Sequence, residues 1–234
     1  MALPASVPDW LRPAGLPAHR MPSAQALRRL IAGNERYRRI RAGEAAAAGD
    51  AVRADFPFAL VLGCLEPGAA GEGLFAEHPG AVACLRTAGP SLGTDTLAGV
   101  EYAALVHNVG VVLVLGHRGC GAVTAARDAR AAGTPELPGA LGGWVATAAA
   151  GSTALPAPGS TAADPVTGHV RALRAGLSRV DSLLTLTRGG RLKIAGGVLD
   201  EATGAIDFLP DEPDEVIEPE AGTGPRPDPT RYGS

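Results

Sequence analysis

Val111 to Val123 reads VVLVLGHRGCGAV. Five apolar residues, three of them β-branched valines, run into Gly116 and then His117, Arg118, Gly119, Cys120 and Gly121. A short unbroken apolar run fits a strand buried on both faces, as in a parallel sheet. The glycines free the backbone at its carboxyl end, and Ala122 to Ala132 then reads as a helix. In open α/β sheets, ligands bind beyond the carboxyl ends of the strands. His117 and Cys120 would offer an imidazole nitrogen and a thiolate there, two donors that suit zinc. A core histidine beside a buried structural cysteine is the plainer alternative.

Working outward, Phe58 to Cys64 (FALVLGC) is a second apolar run ending in Gly-Cys. Two parallel strands ending in Gly-Cys and Gly-His-x-x-Cys could bring Cys64, His117 and Cys120 to one point. Two thiolates and one imidazole with an open fourth position is the donor set of a catalytic zinc rather than a closed structural one.

At these residues the chain resembles the β-class carbonic anhydrases. Their pattern is a strand ending C-x-D-S-R, then R-N-A-G, then S-L-E-Y-A, then a strand ending G-H-x-x-C-G-A. Here Cys64-Leu65-Glu66-Pro67-Gly68, Arg86-Thr87-Ala88-Gly89, Gly99-Val100-Glu101-Tyr102-Ala103 and Gly116-His117-Arg118-Gly119-Cys120-Gly121-Ala122 follow in the same order. The resemblance spans about Ser23 to Leu209. It implies an α/β fold with a mostly parallel β-sheet core flanked by helices. It also implies zinc held by Cys64, His117 and Cys120, reversible hydration of carbon dioxide to bicarbonate by zinc-bound hydroxide, and a homodimer or higher even oligomer.

The chain departs from the pattern where the family carries its catalytic Asp and Arg. Glu66 and Gly68 stand in those places, with Pro67 between them. Glu66 is thus the candidate catalytic residue: it would accept the hydrogen bond that the family's Asp accepts, or reach the zinc and fill the fourth position. Pro67 biases Glu66 away from helical geometry. Arg86 and Arg118 are the nearby cations that could replace the missing arginine. Three functions therefore stand open: a carbonic-anhydrase-like lyase of reduced activity, a catalytically silent zinc protein acting as a binding or assembly partner, and a zinc hydrolase of another small molecule.

The remaining sequence bounds the setting. The 234 residues carry a formal charge of -3, and no basic patch interleaved with aromatics argues for nucleic acid. No apolar run approaches the roughly 18 residues of a membrane span, and no secretory leader is evident, so a cytoplasmic location is expected. Three cysteines do not make a disulfide framework. Residues 1–22 read as an irregular arm, 23–210 as the zinc domain, and 211–234 as an acidic, Pro-rich disordered tail. Seven acids and two arginines give that tail -5 and leave the body at +2.

Smaller expectations complete the picture. Ser23 would cap a helix carrying Ala26, Leu27, Leu30, Ile31, Tyr37 and Ile40 on its packed side and solvated arginines on the other. Cys84 would pack in the core, and residues 66–80 would form a flexible loop. His107 would favour the carboxyl end of a helix over Leu97–Asn108. From about Thr167, Val170, Leu173, Leu177, Val180 and Leu184 lie at helical spacing, with His169 on the surface. A strand over Leu192–Leu199 would lead through DEATG into a hairpin.

Overall fold

The structure is a computed structural model that describes residues 8–11, 13–16, 21–46, 54–66, 71–133, 140–150 and 164–211. The expected tail lies outside these residues apart from Asp211, as do Pro67 and Gly68.

Five strands form one sheet: β1 Ala59–Cys64, β2 Val82–Thr87, β3 Val111–His117, β4 Lys193–Asp200 and β5 Ala205–Phe208. Their order is β2-β1-β3-β4-β5, with the first four parallel and β5 antiparallel. The central strand β3 is buried along its whole length, Val111 to Leu115 being fully inaccessible. Each such side chain stabilises the fold by about 1.5–3 kcal/mol. After β1 the chain builds β2 on one side and returns to build β3 on the other. The crevice between the carboxyl ends of β1 and β3 is therefore the topological switch point, where ligand sites of open α/β sheets form.

Strand side chains alternate between the two faces. Leu60, Leu62, Val112 and Val114 face one apolar layer with Val170, Leu173, Leu177 and Leu183; Val61, Val111, Leu113 and Leu115 face another with Ala26, Leu30 and Phe75. The first layer is covered by helices α2 (Thr94–Glu101), α3 (Gly121–Ala131), α5 (Pro165–Ser178) and α6 (Asp181–Arg188), with α4 (Ala140–Ala150) packed on α3. Helix α1 (Ser23–Arg41) covers the second. Gly116 and Gly196 permit the close approach of α5 to β3 and β4: a methyl at Gly116 would collide with Val166, and one at Gly196 would lie 2.8 Å from Val170.

Several expectations are corrected. Ser23 is the first residue of α1 and donates to Gly190 O, while Pro22 holds the cap position. Ile31 is exposed, and Gly33 and Asn34 are buried in its stead. The α1 arginines are not simply solvated. Arg29 and Arg36 grip the buried Glu77 carboxylate at 2.5 and 2.8 Å, and Arg29 also stacks on Phe58. That contact organises the segment read as a flexible loop, where Glu72–Phe75 forms a 3₁₀ turn burying Leu74 and Phe75.

Asn34 ties the same helix to two other elements. Its amide donates to Leu74 O and Gly204 O, and its oxygen accepts from Ile206 N. The helix expected over Leu97–Asn108 instead runs as α2 into a π-helical turn at Tyr102–Val106, with His107 at its end packed edge-on against Tyr102. The apolar spacing after Thr167 is interrupted at Val180, where extended backbone starts α6 afresh. Leu183 and Leu186 are consequently buried, and Leu184 only partly.

Two side chains change environment altogether. His169 is 2 % exposed rather than on the surface, with Nε2 2.6 Å from Pro90 O, and burial lowers its pKa. Cys84 is exposed on the edge strand β2 rather than packed in the core.

Candidate metal centre

Strand parity delivers the site from both layers. Cys64 continues the face of Leu60 and Leu62, whereas His117 continues that of Val111, Leu113 and Leu115. They meet at the crest of the sheet, at the ends of β1 and β3. Past His117 the chain turns through Gly119, whose φ of +72° is a conformation that favours glycine. Cys120 N then donates to His117 O at 3.3 Å, and Cys120 enters the first turn ahead of α3.

Cys64, Glu66, His117 and Cys120 each offer one donor atom, and these atoms all lie within 4.8 Å of one another. The cysteines are fully inaccessible and His117 nearly so. The two sulfurs are 3.7 Å apart. An ion about 2.3 Å from each sulfur in tetrahedral geometry would hold them about 3.8 Å apart, so the spacing fits. The electrostatics point the same way. The hydrogen bond with Cys120 lowers the pKa of Cys64, opposed by burial and helped by the Glu66 backbone N–H. The same hydrogen bond, with burial, pushes Cys120 far up. One thiolate forms readily and the second does not, unless a cation compensates two negative sulfurs at this distance. Neither ring nitrogen of His117 has an aligned hydrogen-bond partner, which leaves a buried donor set suited to a metal.

Glu66 bends over this cluster. Its Oε2 lies 3.0 Å from His117 Nε2 and accepts from Gly121 N, at the start of α3, at 3.3 Å. A helix N-terminus favours a carboxylate. Gly121 gives it room, because a methyl there would sit 2.9 Å from Glu66 Oε1. Neither candidate arginine pairs with that carboxylate. Arg86 donates instead to three backbone carbonyls, Cys64 O at 2.8 Å, Leu65 O at 3.0 Å and Glu66 O at 2.9 Å, and so fixes the turn that carries Glu66. Arg118 turns away to Asp207 at 2.5 Å and Asp200 at 3.8 Å.

One acidic neighbour was not singled out in the sequence. Glu201 Oε1 lies 3.0 Å from His117 Nδ1, on the opposite side of the ring from Glu66. Its only sequence signal is a carboxylate at the start of the β4–β5 turn, where acidic residues are common for turn reasons alone.

Known proteins share this fold and much of this sequence. A family model described as carbonic anhydrase matches residues 59–206, which hold all four clustered side chains. Carbonic anhydrase 2 of Mycobacterium tuberculosis is 42% identical over 83 residues, 36% of this chain and 39% of that protein; this chain thus spans about two fifths of that relative's length. A carbonic anhydrase of Pseudomonas aeruginosa is 35% identical over 164 residues, covering 65% of this chain and 73% of the relative. A structure described as one of two tetrameric β-carbonic anhydrases from the ascomycete Sordaria macrospora superposes with a TM-score of 0.55 at 18% identity, over 67% of this chain and 82% of that one. With a family model covering more than half the chain, a relative matched over most of its length and a shared sheet, the chain belongs to the β-class carbonic anhydrase family.

Proposed function

We propose that this chain is a zinc-dependent carbonate dehydratase that interconverts carbon dioxide and bicarbonate, with low activity at rest because Glu66 closes the fourth position of its metal centre. The observation that carries this reading is the convergence of Cys64, His117 and Cys120 at the switch-point crevice. Bound there, zinc would supply the Lewis acidity that brings the ionisation of water toward neutral pH. The two thiolates and His117 Nε2 would hold it.

Glu66 decides how open the centre is. Its carboxylate rests against His117 Nε2 and the Gly121 N–H, while Arg86 pins its backbone. Substrate chemistry requires this side chain to swing toward solvent, which its half-exposed position allows. The family's restraining arginine is replaced by Gly68, so no side chain at that place draws the carboxylate away. The same closure favours the second reading, a silent zinc protein serving as a binding or assembly partner.

The assembly is proposed as a homodimer or higher even oligomer, which the tetrameric description of the Sordaria enzymes supports. The location is proposed as cytoplasmic. No helix among the described residues is long and apolar enough to cross a membrane.

Zinc analysis combined with stopped-flow hydration of carbon dioxide tests the proposal. One zinc per chain and slow but measurable hydration are expected. The triple change Glu66→Asp, Pro67→Ser, Gly68→Arg rebuilds the family motif. It should raise the rate by about 10²- to 10⁴-fold, the usual contribution of such positioned groups, at constant zinc. Full zinc with no hydration in either protein would leave the silent reading, and no zinc would overturn both.

A further inference from the structure

We infer that Glu201 is a positioning residue of the metal centre, holding His117 through Nδ1 so that Nε2 faces the two thiolates. This deepens the zinc reading above and rests on His117 being a ligand.

His117 is 2 % exposed, and its ring lies between two carboxylates, each 3.0 Å from a different nitrogen. The two are not equivalent. Glu66 approaches Nε2 on the side of Cys64 and Cys120, within the four-donor cluster. Glu201 approaches Nδ1 from the hairpin beyond β4 and lies outside that cluster. A neutral imidazole carries one proton, and the partner of one nitrogen decides which nitrogen keeps it. A metal that takes the Nε2 lone pair in place of Glu66 leaves Nδ1 as the nitrogen that carries the proton, and the Glu201 carboxylate stands there to accept it. Ligand histidines commonly have such a partner, and its loss typically costs 10- to 100-fold in metal affinity. The 3.0 Å separation is within hydrogen-bonding distance, and the contact in this structure is an ion-pair approach rather than an aligned hydrogen bond.

The hairpin that presents Glu201 is itself held. Asp200 Oδ1 accepts from the backbone N–H groups of Ala202 and Thr203, and Gly204 N donates to Asp200 O. From α1, Arg41 donates to Glu201 O at 2.9 Å and Asn34 to Gly204 O at 2.9 Å. Arg118 N donates to Leu199 O, which joins the residue after His117 to the strand that leads into the hairpin. Both ends of the His117–Glu201 contact therefore have fixed backbones.

The test uses the full chain and two readouts besides activity. ¹⁵N NMR of the metal-free protein should show His117 chiefly as the Nδ1–H tautomer, and Glu201→Ala should redistribute it toward Nε2–H. Competition with a chelator should show zinc held 10- to 100-fold more weakly by Glu201→Ala. Glu201→Gln, which keeps an acceptor oxygen, should restore most of that affinity. The thermal midpoint of the metal-free protein should be unchanged, as expected for truncating a partly exposed side chain.

Zinc bound equally well by native protein and Glu201→Ala would overturn the inference and leave the zinc reading intact. A native protein that takes up no zinc would overturn the zinc reading. The tautomer measurement would then decide the Glu201 contact alone, an Nε2–H form in the native protein counting against it.

Discussion

Cys64 and Cys84 lie on adjacent parallel strands, yet they have little chemistry in common. Register pairs Cys64 with Thr87 and Cys84 with Val61, so Cys84 sits three residues, about 10 Å, below the carboxyl edge of the sheet. At that edge Cys64 meets a second sulfur, a backbone N–H and an imidazole, and its thiolate is favoured. Half-way along β2, the Cys84 sulfur lies against Gly71, where any side chain would collide with it, and close to Glu72. Desolvation and that carboxylate push its pKa up to about 11, although the residue as a whole is exposed. Position along a strand, rather than residue type, separates the cysteine of the candidate centre from the bystander.

The strongest way to break this contrast is to remove ligands from each region. His117→Ala or Cys120→Ser should lose most of the metal, because affinity depends on the whole donor set. Cys84→Ser should retain one zinc per chain. Equal zinc in all three proteins, by metal analysis, would show that the strand ends are not the site.

A second measurement sharpens the difference between the sulfurs. Only a thiolate reacts with iodoacetamide. With a pKa near 11, Cys84 should therefore be alkylated about tenfold faster per pH unit, roughly 100-fold between pH 8 and pH 10, without levelling. In the zinc-loaded protein this phase should vanish in Cys84→Ser. A plateau near pH 8.5 would mean that the thiol is unperturbed by Gly71 and Glu72.

The smallest expected effect concerns the closure of the edge itself. Gly121→Ala places a methyl 2.9 Å from Glu66 Oε1 and should crowd the carboxylate off the centre. Hydration of carbon dioxide should then rise by up to about tenfold, or about 1.4 kcal/mol of barrier, with zinc retained. Loss of zinc in its place would identify Glu66 as a ligand the centre needs.

Much of this architecture was legible in the chain because it depends on local pattern. The apolar runs ending at Cys64 and His117, broken by glycine, are found as β1 and β3 with both side chains at the switch point. The hairpin through DEATG is found as β4 and β5. The misreadings depend on neighbours that are distant in sequence. His169 looked like a surface residue because its partner is the carbonyl of Pro90, in a turn 79 residues earlier. Cys84 looked like core because an apolar run does not reveal whether its strand is central or at the edge. Glu77 looked like a loop acid because its cations belong to α1. Glu201 escaped notice because the acids of a turn explain themselves, and only the fold brings one beside His117.

The buried amide of Asn34 has a consequence for how the chain can vary. One side chain satisfies two carbonyls and one N–H from segments 40 and 170 to 172 residues away. Aspartate would keep the acceptor and lose both donors, while leucine would match the bulk and orphan all three backbone groups. Each orphaned group costs about 1–3 kcal/mol. Neither neighbour of asparagine in size can stand in for it, so the position behaves like a keyed joint. Drift is tolerated on the exposed turns of α1, but this residue can change only together with the 72–75 turn and the hairpin it locks.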